Sequence, residues 1–447
     1  MSNIAEQRPS GVGSTPQAVQ ASKGNESPVE QAALQKPWRG RIILVLGIIL
    51  LGITLRHAVT GLSPLLPVVR EELGMGVGAA SFLGMLPTLA FGIAGFLTPV
   101  IMRTRGPELT ALLAMTLAAI GTVARVLGES IPLFLVFSVI ALFGMGMGNV
   151  VGAPLVKKYF PDRQAAMLTV FALLMQAGAT LPAMTAMPIY HAAGWRVSLA
   201  SWAVLSLLAA LPWLIALLRL RRASNGAKTG NAAGAEAKQK FGLGRLLANR
   251  ISAGTALFYA MASLNTYAML AWFPTILGDR GMDLGQAATA FSVFTFLTLP
   301  MALVVPLLAS RMKNVFPLAA ALALTYPIGY IGLLALPELS LFWTVIMGMG
   351  GGSFPLAITM FNRNTRSAAG SAALAGFAMG VGYLFGTLGP LLGGMFYSIT
   401  GGWDLAIVVF ALTGLLALAG AKLMTPRSGM LEDGFAQPVA RACVAQR

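Results

Sequence analysis

This 447-residue chain is poor in the side chains that most chemistry needs, and each shortage removes a class of function. A single cysteine, Cys443 in a polar tail, leaves no intramolecular disulfide and no thiolate metal cluster. Two histidines are too few for a multi-histidine metal site. Acidic residues number 15 against 31 basic ones, and no Asp or Glu falls in the interior of an apolar run. With no nucleophile and base constellation and no set of metal ligands, the chain is expected not to be an enzyme, and no catalytic residue, metal or cofactor is assigned. Charged residues make up only 10% of the chain, too few for the surface of a soluble globular protein.

What fills the chain is apolar. Hydrophobic residues make up 56% and the mean hydropathy is +0.76, which reads as an integral membrane protein. The net charge of +16 invites a nucleic-acid reading, but the basic residues sit in short clusters between apolar runs, not on one face. The positive-inside rule accounts for them better, so the partner expected is a lipid bilayer and not nucleic acid. Runs able to cross about 30 Å of hydrocarbon at about 1.5 Å per residue predict twelve helices. They lie near 41–67, 78–101, 107–127, 131–155, 164–189 and 196–219, then near 251–277, 286–309, 315–336, 339–361, 370–398 and 403–424.

Charge sorts the loops. Arg103 and Arg105, Lys157, Lys158 and Arg163, the stretch 220–250, Arg311 and Lys313, then Arg363 and Arg366 fall on alternate loops. The loops between them carry Glu71, Glu72, Glu129, Asp279, Asp283, Glu338 and Asp404. Both termini are therefore expected in the cytoplasm of a bacterial cell, with the chain multi-pass in the inner (plasma) membrane. The expected organisation is a disordered cytoplasmic tail over 1–40, rich in Ser, Gly, Gln, Ala and Pro and without a signal-peptide core, and a six-helix bundle over 41–219. A basic cytoplasmic linker over 220–250, a second six-helix bundle over 251–424 and a tail over 425–447 follow.

The halves also repeat. Pro67 matches Pro274 and Gly74-Met75 matches Gly281-Met282, both at an offset of about 207. The run Met145 to Gly148 matches Met347 to Gly350, Pro154-Leu155 matches Pro355-Leu356, Pro182 matches Pro390, and Gly194-Trp195 matches Gly402-Trp403. Six helices repeated in one orientation predict two parallel-related bundles with a midplane cavity at their interface. The fold class expected is all-α integral membrane, with twelve transmembrane helices in two six-helix bundles.

On these features the chain resembles the major facilitator superfamily. Leu55-Arg56 with Thr60 and Pro64-Leu65-Leu66-Pro67, the run Gly350 to Leu356, and Gly380-Val381-Gly382-Tyr383-Leu384 are similar to its cyanate and 2-nitroimidazole transporter branch. Ala271-Trp272-Phe273-Pro274, Asp279-Arg280-Gly281, Gly148-Asn149 and the run Lys157 to Arg163 add to the likeness. Two departures stand out. The superfamily's usual loop after the second helix appears here as Gly95-Phe96-Leu97-Thr98-Pro99 with Arg103 and Arg105 beyond, so its acidic latch residue is missing. Where the branch commonly has proline after the arginine, this chain has His57.

Arg56 is the residue the rest is organised around, about fifteen residues into the first helix and so roughly 22 Å deep at 1.5 Å per residue. A guanidinium keeps its proton, so at that depth it needs a partner, water or a ligand, and a planar fork of donors suits a carboxylate, a nitro group or a small linear anion. His57 is either a proton-coupling group or a plain polar lining residue. Thr60 follows one turn later. Asn149 and Ser353 sit at corresponding places beside the glycine clusters of the two halves, clusters whose first meaning is close helix packing. Tyr267, Phe354 and Tyr383 are the candidates for an aromatic wall. Trp272 is read instead as an interfacial belt residue, and Arg125 with Glu129 as an interfacial ion pair. The candidate substrate-binding set is therefore Arg56, His57, Thr60, Asn149, Tyr267, Ser353, Phe354 and Tyr383.

The function expected is secondary active transport of a small anionic or dipolar solute by alternating access, with protons the candidate coupling ion. The resemblance implies cyanate-like anions or nitroimidazole-like compounds. The rivals are a multidrug efflux pump for lipophilic compounds, which a lone buried cation without membrane carboxylates disfavours, and a non-transporting membrane receptor, which would be expected to carry a soluble output domain.

Overall fold

The fold comes from a computed structural model that describes residues 41–224, 243–426 and 429–435. The expected tail over 1–40, most of the linker and the end of the last tail lie outside these. From Leu44 onward the described residues form one compact unit. In lipid every backbone N–H and C=O must be satisfied within its own segment, and the described residues accordingly contain helices and no strand.

The helices are α1 (Ile42–Ile53), α2 (His57–Thr60), α3 (Leu66–Glu72), α4 (Val77–Arg105), α5 (Pro107–Leu127), α6 (Ile131–Tyr159), α7 (Gln164–Ala200) and α8 (Trp202–Ser224). They continue with α9 (Leu243–Ala248), α10 (Arg250–Asp279), α11 (Leu284–Arg311), α12 (Phe316–Ala335), α13 (Ser340–Met349), α14 (Ser353–Arg363), α15 (Ala368–Thr400) and α16 (Asp404–Met424). Ten stretches of the described residues are long and apolar enough to cross a membrane. One of them, Ala166–Leu220, is 55 residues long and turns at Gly194, whose φ of +81° suits a residue without a Cβ, so it makes two crossings. The helix α10 is a further crossing of 30 residues, less apolar because it carries Ser252, Thr255, Ser263, Asn265 and Thr266, all buried against protein neighbours. Twelve crossings result among the described residues, the number expected.

Two crossings are broken. The tenth is interrupted by a 3-10 turn at Gly350–Gly352 between α13 and α14. The first, expected as one helix to residue 67, leaves helical geometry at Thr54-Leu55-Arg56, and a second 3-10 turn at Ser63–Leu65 precedes α3. Neither Pro nor Gly stands at that first break. Its surroundings supply a reason: Gly178 of α7 lies against the Ile53 carbonyl so closely that a Cβ there would be 2.0 Å from the oxygen. The side chain of Thr54 also bonds back to the carbonyls of Leu50 and Leu51, at 2.8 and 2.9 Å.

The repeat is visible in the bonding. Met75 N–H donates to the Arg70 carbonyl at 2.8 Å and Met282 N–H to the Leu277 carbonyl at 3.1 Å, each past a glycine of positive φ, Gly74 (+61°) and Gly281 (+92°). The Trp195 indole donates to Glu72 at 2.5 Å, and the Trp403 indole to Asp279 at 2.8 Å. Arg196 and Arg280 then pair with Glu72 and Asp404 respectively.

The α4–α15 and α7–α11 pairs join the first six crossings to the last six. At the acidic-loop end the approach is close: a Cβ on Gly84 would stand 2.8 Å from the Ala271 Cβ and 2.9 Å from the Pro390 Cβ. Thr88 and Thr387 hydroxyls meet at 2.9 Å, and Thr180 donates to the Thr295 carbonyl at 3.2 Å. At the basic-loop end each half is tied within itself. Glu108, missed from the sequence, is buried and accepts from Lys158 at 2.7 Å and Tyr159 at 2.5 Å. Arg363 caps the end of α11 through the carbonyls of Ala309, Met312 and Lys313, at 2.7, 2.8 and 3.0 Å.

Candidate substrate site

Arg56 is the residue at which the first crossing re-enters a helix. Its backbone (φ −129°, ψ −10°) is outside the α region and it precedes α2, so its side chain leaves the wall of the crossing instead of following a helical face. The guanidinium stands 6.0 Å from the centre of the Phe91 ring. Among the described residues the groups acting on it are the hydroxyls of Tyr267, most strongly and with a hydrogen bond, then Tyr383 and Tyr259, and no carboxylate is among them. The Tyr259 hydroxyl in turn interacts with Tyr383. One cation just before α2 and three phenols on α10 and α15 thus form a polar cluster in an apolar surrounding.

A cavity of about 650 Å³ opens beside it between α4, α6 and α15. Phe91 and Tyr383 are shared between the cavity wall and the Arg56 cluster, and their rings meet edge to face at 6.3 Å. Asn149, Thr88 and Thr387 add the polar part of the wall. The remaining wall is apolar and runs out to Ile93, Phe96 and Leu384, exposed by 53, 80 and 66% on the outer surface of the helices.

The predicted residues divide. Arg56, Tyr267 and Tyr383 come together, and Asn149 lines the same cavity. Phe354 packs edge-on against Tyr259 at 5.2 Å and supports that ring from behind. Ser353 is buried at the start of α14. Thr60 is buried and returns its hydroxyl to the Arg56 carbonyl at 3.2 Å, which steadies the turn.

His57 points away from the Arg56 cluster. Its Nδ1 donates to the Thr54 carbonyl at 2.8 Å, so Nε2 accepts from the Thr122 hydroxyl at 3.3 Å, and the ring stacks on Trp202 at 6.1 Å. Both nitrogens of the neutral ring are used. A second proton would reverse the Thr122 bond, with Nε2 then donating to the hydroxyl oxygen, and would set a cation beside Arg125, which acts on this ring.

Two surface readings are corrected. Arg125 is 2% exposed, donates to the Ala58 carbonyl at 3.2 Å and lies over the Phe134 ring at 5.9 Å. Glu129 is beyond the end of α5, 91% exposed, and 3.9 Å from Arg196. Trp272 is fully buried, donates to the Pro390 carbonyl at 2.8 Å and packs on Trp403, so it belongs to the core between α10 and its neighbours and not to an interfacial belt.

Tyr259, Phe91, Thr88 and Thr387 were not singled out from the sequence. For Tyr259 a signal was there: it precedes Tyr267 by two helical turns and so shares its face. Phe91 and the two threonines stand in apolar segments with no such marker.

Residues 42–387 match the family model described as Major Facilitator Superfamily. The chain is 30% identical over 382 residues to the 2-nitroimidazole transporter of Escherichia coli (strain K12), covering 85% of this chain and 94% of that one. It is 24% identical over 380 residues to the cyanate transport protein CynX of the same organism, covering 84 and 96%. Among solved structures, a bacterial homolog of the human lysosomal transporter Spinster, in an inward-facing and occupied conformation, superposes with a TM-score of 0.68 at 13% identity, covering 86% of this chain and 96% of that one.

Proposed function

This chain belongs to the major facilitator superfamily, a family of transporters and not enzymes, and on that premise we propose that its solute is a small anion or strongly dipolar molecule held by Arg56. One observation carries the reading: a guanidinium at membrane depth faces three phenol hydroxyls and no carboxylate. A full charge placed there without compensation is costly, and a bound anion or nitro group relieves it. The phenols can donate to the same ligand, while Phe91 and Tyr383 offer ring faces to a planar one. Cyanate-like anions and nitroimidazole-like compounds share these requirements, and relatives carrying those names cover nearly the whole chain.

Transport follows by alternating access between two six-helix units, 41–219 and 251–424, joined by the linker 220–250. The contacts at Gly84 and Thr88 close the acidic-loop end, and the 650 Å³ cavity serves the other. With the basic loops, the linker and both tails on the cytoplasmic side of the bacterial inner membrane, this arrangement supports an inward-facing reading. Protons are the proposed coupling ion, carried by a group other than His57.

A second reading, export of lipophilic compounds, is favoured by the apolar wall reaching lipid-facing Phe96 and Leu384. Counterflow in proteoliposomes separates the two. Labelled cyanate or 2-nitroimidazole should exchange saturably, each inhibited by the other. Exchange of neither, with movement of a lipophilic cationic dye, would reject the anion reading for the efflux one.

A further inference from the structure

Around Arg125 lies a second, smaller cavity, separate from the one beside Arg56. Its volume is about 30 Å³, on a measure by which one water needs about 10 to 15 Å³. Arg125, Ser63, Ser138 and Tyr267 line it, within an otherwise apolar wall from α2 to α6 and α10. Three of its polar atoms have no hydrogen-bond partner: Arg125 Nε, Ser63 Oγ and Ser138 Oγ. Their side chains are 2, 3 and 0% exposed respectively. Buried polar atoms are almost always paired, so three orphans facing one small space point to an occupant.

The chemistry of the lining selects it. Arg125 can only donate, and both hydroxyls can donate alongside it, so the groups converge on an acceptor. Among the described residues the positive charge is otherwise met by the Ala58 carbonyl and the Phe134 ring. No acidic side chain lines the cavity. Waters would satisfy the hydroxyls but leave the cation uncompensated.

We propose that this cavity is a binding site for a compact monovalent anion, of halide or short linear pseudohalide size, held by Arg125 Nε and the hydroxyls of Ser63 and Ser138. Tyr267 borders it and also meets Arg56, so one phenol ring lies between the two cationic sites. The wall from α10 (Tyr267, Leu270 and Ala271) completes the cavity only while α10 is against α4. An anion bound here therefore favours the state closed at the acidic-loop end, because it gains its enclosure only there.

The test uses full-length purified Arg56→Gln protein, which keeps the outcome independent of what Arg56 binds. Its melting temperature is followed while sodium chloride replaces sodium gluconate at constant ionic strength. A saturable rise is expected, since a ligand of the folded state stabilises it by mass action. Adding Ser63→Ala and Ser138→Ala should weaken the apparent chloride affinity tenfold or more. Adding Arg125→Met should remove the rise, and should that variant fail to fold, the serine pair decides. Superimposable chloride and gluconate curves, or serine variants that titrate like their parent, would overturn the proposal and leave a cavity holding water only.

Discussion

The Thr88 hydroxyl lies 2.9 Å from that of Thr387, a residue 299 positions later in the chain. This bond joins α4 to α15, the pair that also approaches closely at Gly84 and Pro390. If the halves rock about the Arg56 site, the bond must part in each cycle. With Cys443 replaced by Ser, Thr88→Cys with Thr387→Cys should form a disulfide on oxidation, arrest transport and recover it on reduction. Cross-linked protein that still transports at the parental rate would show that these residues do not separate.

A second prediction concerns the paired indoles. Trp195 to Glu72 and Trp403 to Asp279 are the same contact in the two halves, and both indoles are almost fully buried. Trp195→Phe and Trp403→Phe each remove one donor from a carboxylate. Each should cost about 1.5 to 3 kcal/mol, with near additivity in the double variant, because the sites share no partner. Thermal unfolding of the three variants checks this, and a loss confined to one half would break the equivalence.

That repeat was readable from the sequence because Gly74-Met75 and Gly281-Met282, and the two tryptophans, keep a nearly constant offset. Crossing positions were readable too, since lipid leaves a long apolar run few choices but helix. Side-chain direction was not. A crossing that is apolar all round has no amphipathic phase, so nothing in α5 shows that Arg125 faces the Ala58 carbonyl and not Glu129. The break before Arg56 was equally hidden, because its cause sits in α7, at Gly178, over a hundred positions away. Within the site, Arg56, Tyr267 and Tyr383 were legible as polar residues where lipid tolerates none cheaply. Phe91 looked like any other apolar residue.

For His57 the bonding predicts a structural role. His57→Gln should lower stability by about 1 to 3 kcal/mol through the bonds to Thr54 and Thr122, yet leave any dependence of uptake on a pH gradient unchanged. Uptake by proteoliposomes with an imposed gradient is the measurement. Loss of gradient dependence with exchange retained would return the proton to this residue.

Outside the membrane, Glu432 ties the start of α15 by accepting from the backbone N–H groups of Arg366 and Ser367 and from the Ser367 hydroxyl, each at 3.0 Å. Partial burial raises its pKa, but these bonds and one from its own backbone outweigh it, so the carboxyl is held below its ordinary value of 4.5. A depressed carboxylate stabilises the folded state fully above its unfolded pKa, and that contribution fades as pH falls through the folded one. Melting curves between neutral pH and about pH 3, which takes the scan below the ordinary carboxylate value, should show this component in the parent and lack it in Glu432→Gln. Identical pH profiles would exclude the carboxylate.

The central claim is that Arg56 holds the solute. Arg56→Lys keeps the charge but loses the planar fork, whereas Arg56→Gln keeps some hydrogen bonding and loses the charge. The direct measurement is the affinity of purified, monodisperse parent and variants for cyanate and 2-nitroimidazole by titration calorimetry. The prediction is a loss of tenfold or more in both variants, larger for Gln than for Lys with the anion and similar in the two with the neutral nitro compound, each tenfold being about 1.4 kcal/mol. Parental affinity for both solutes in both variants would contradict the account and make Arg56 a structural residue.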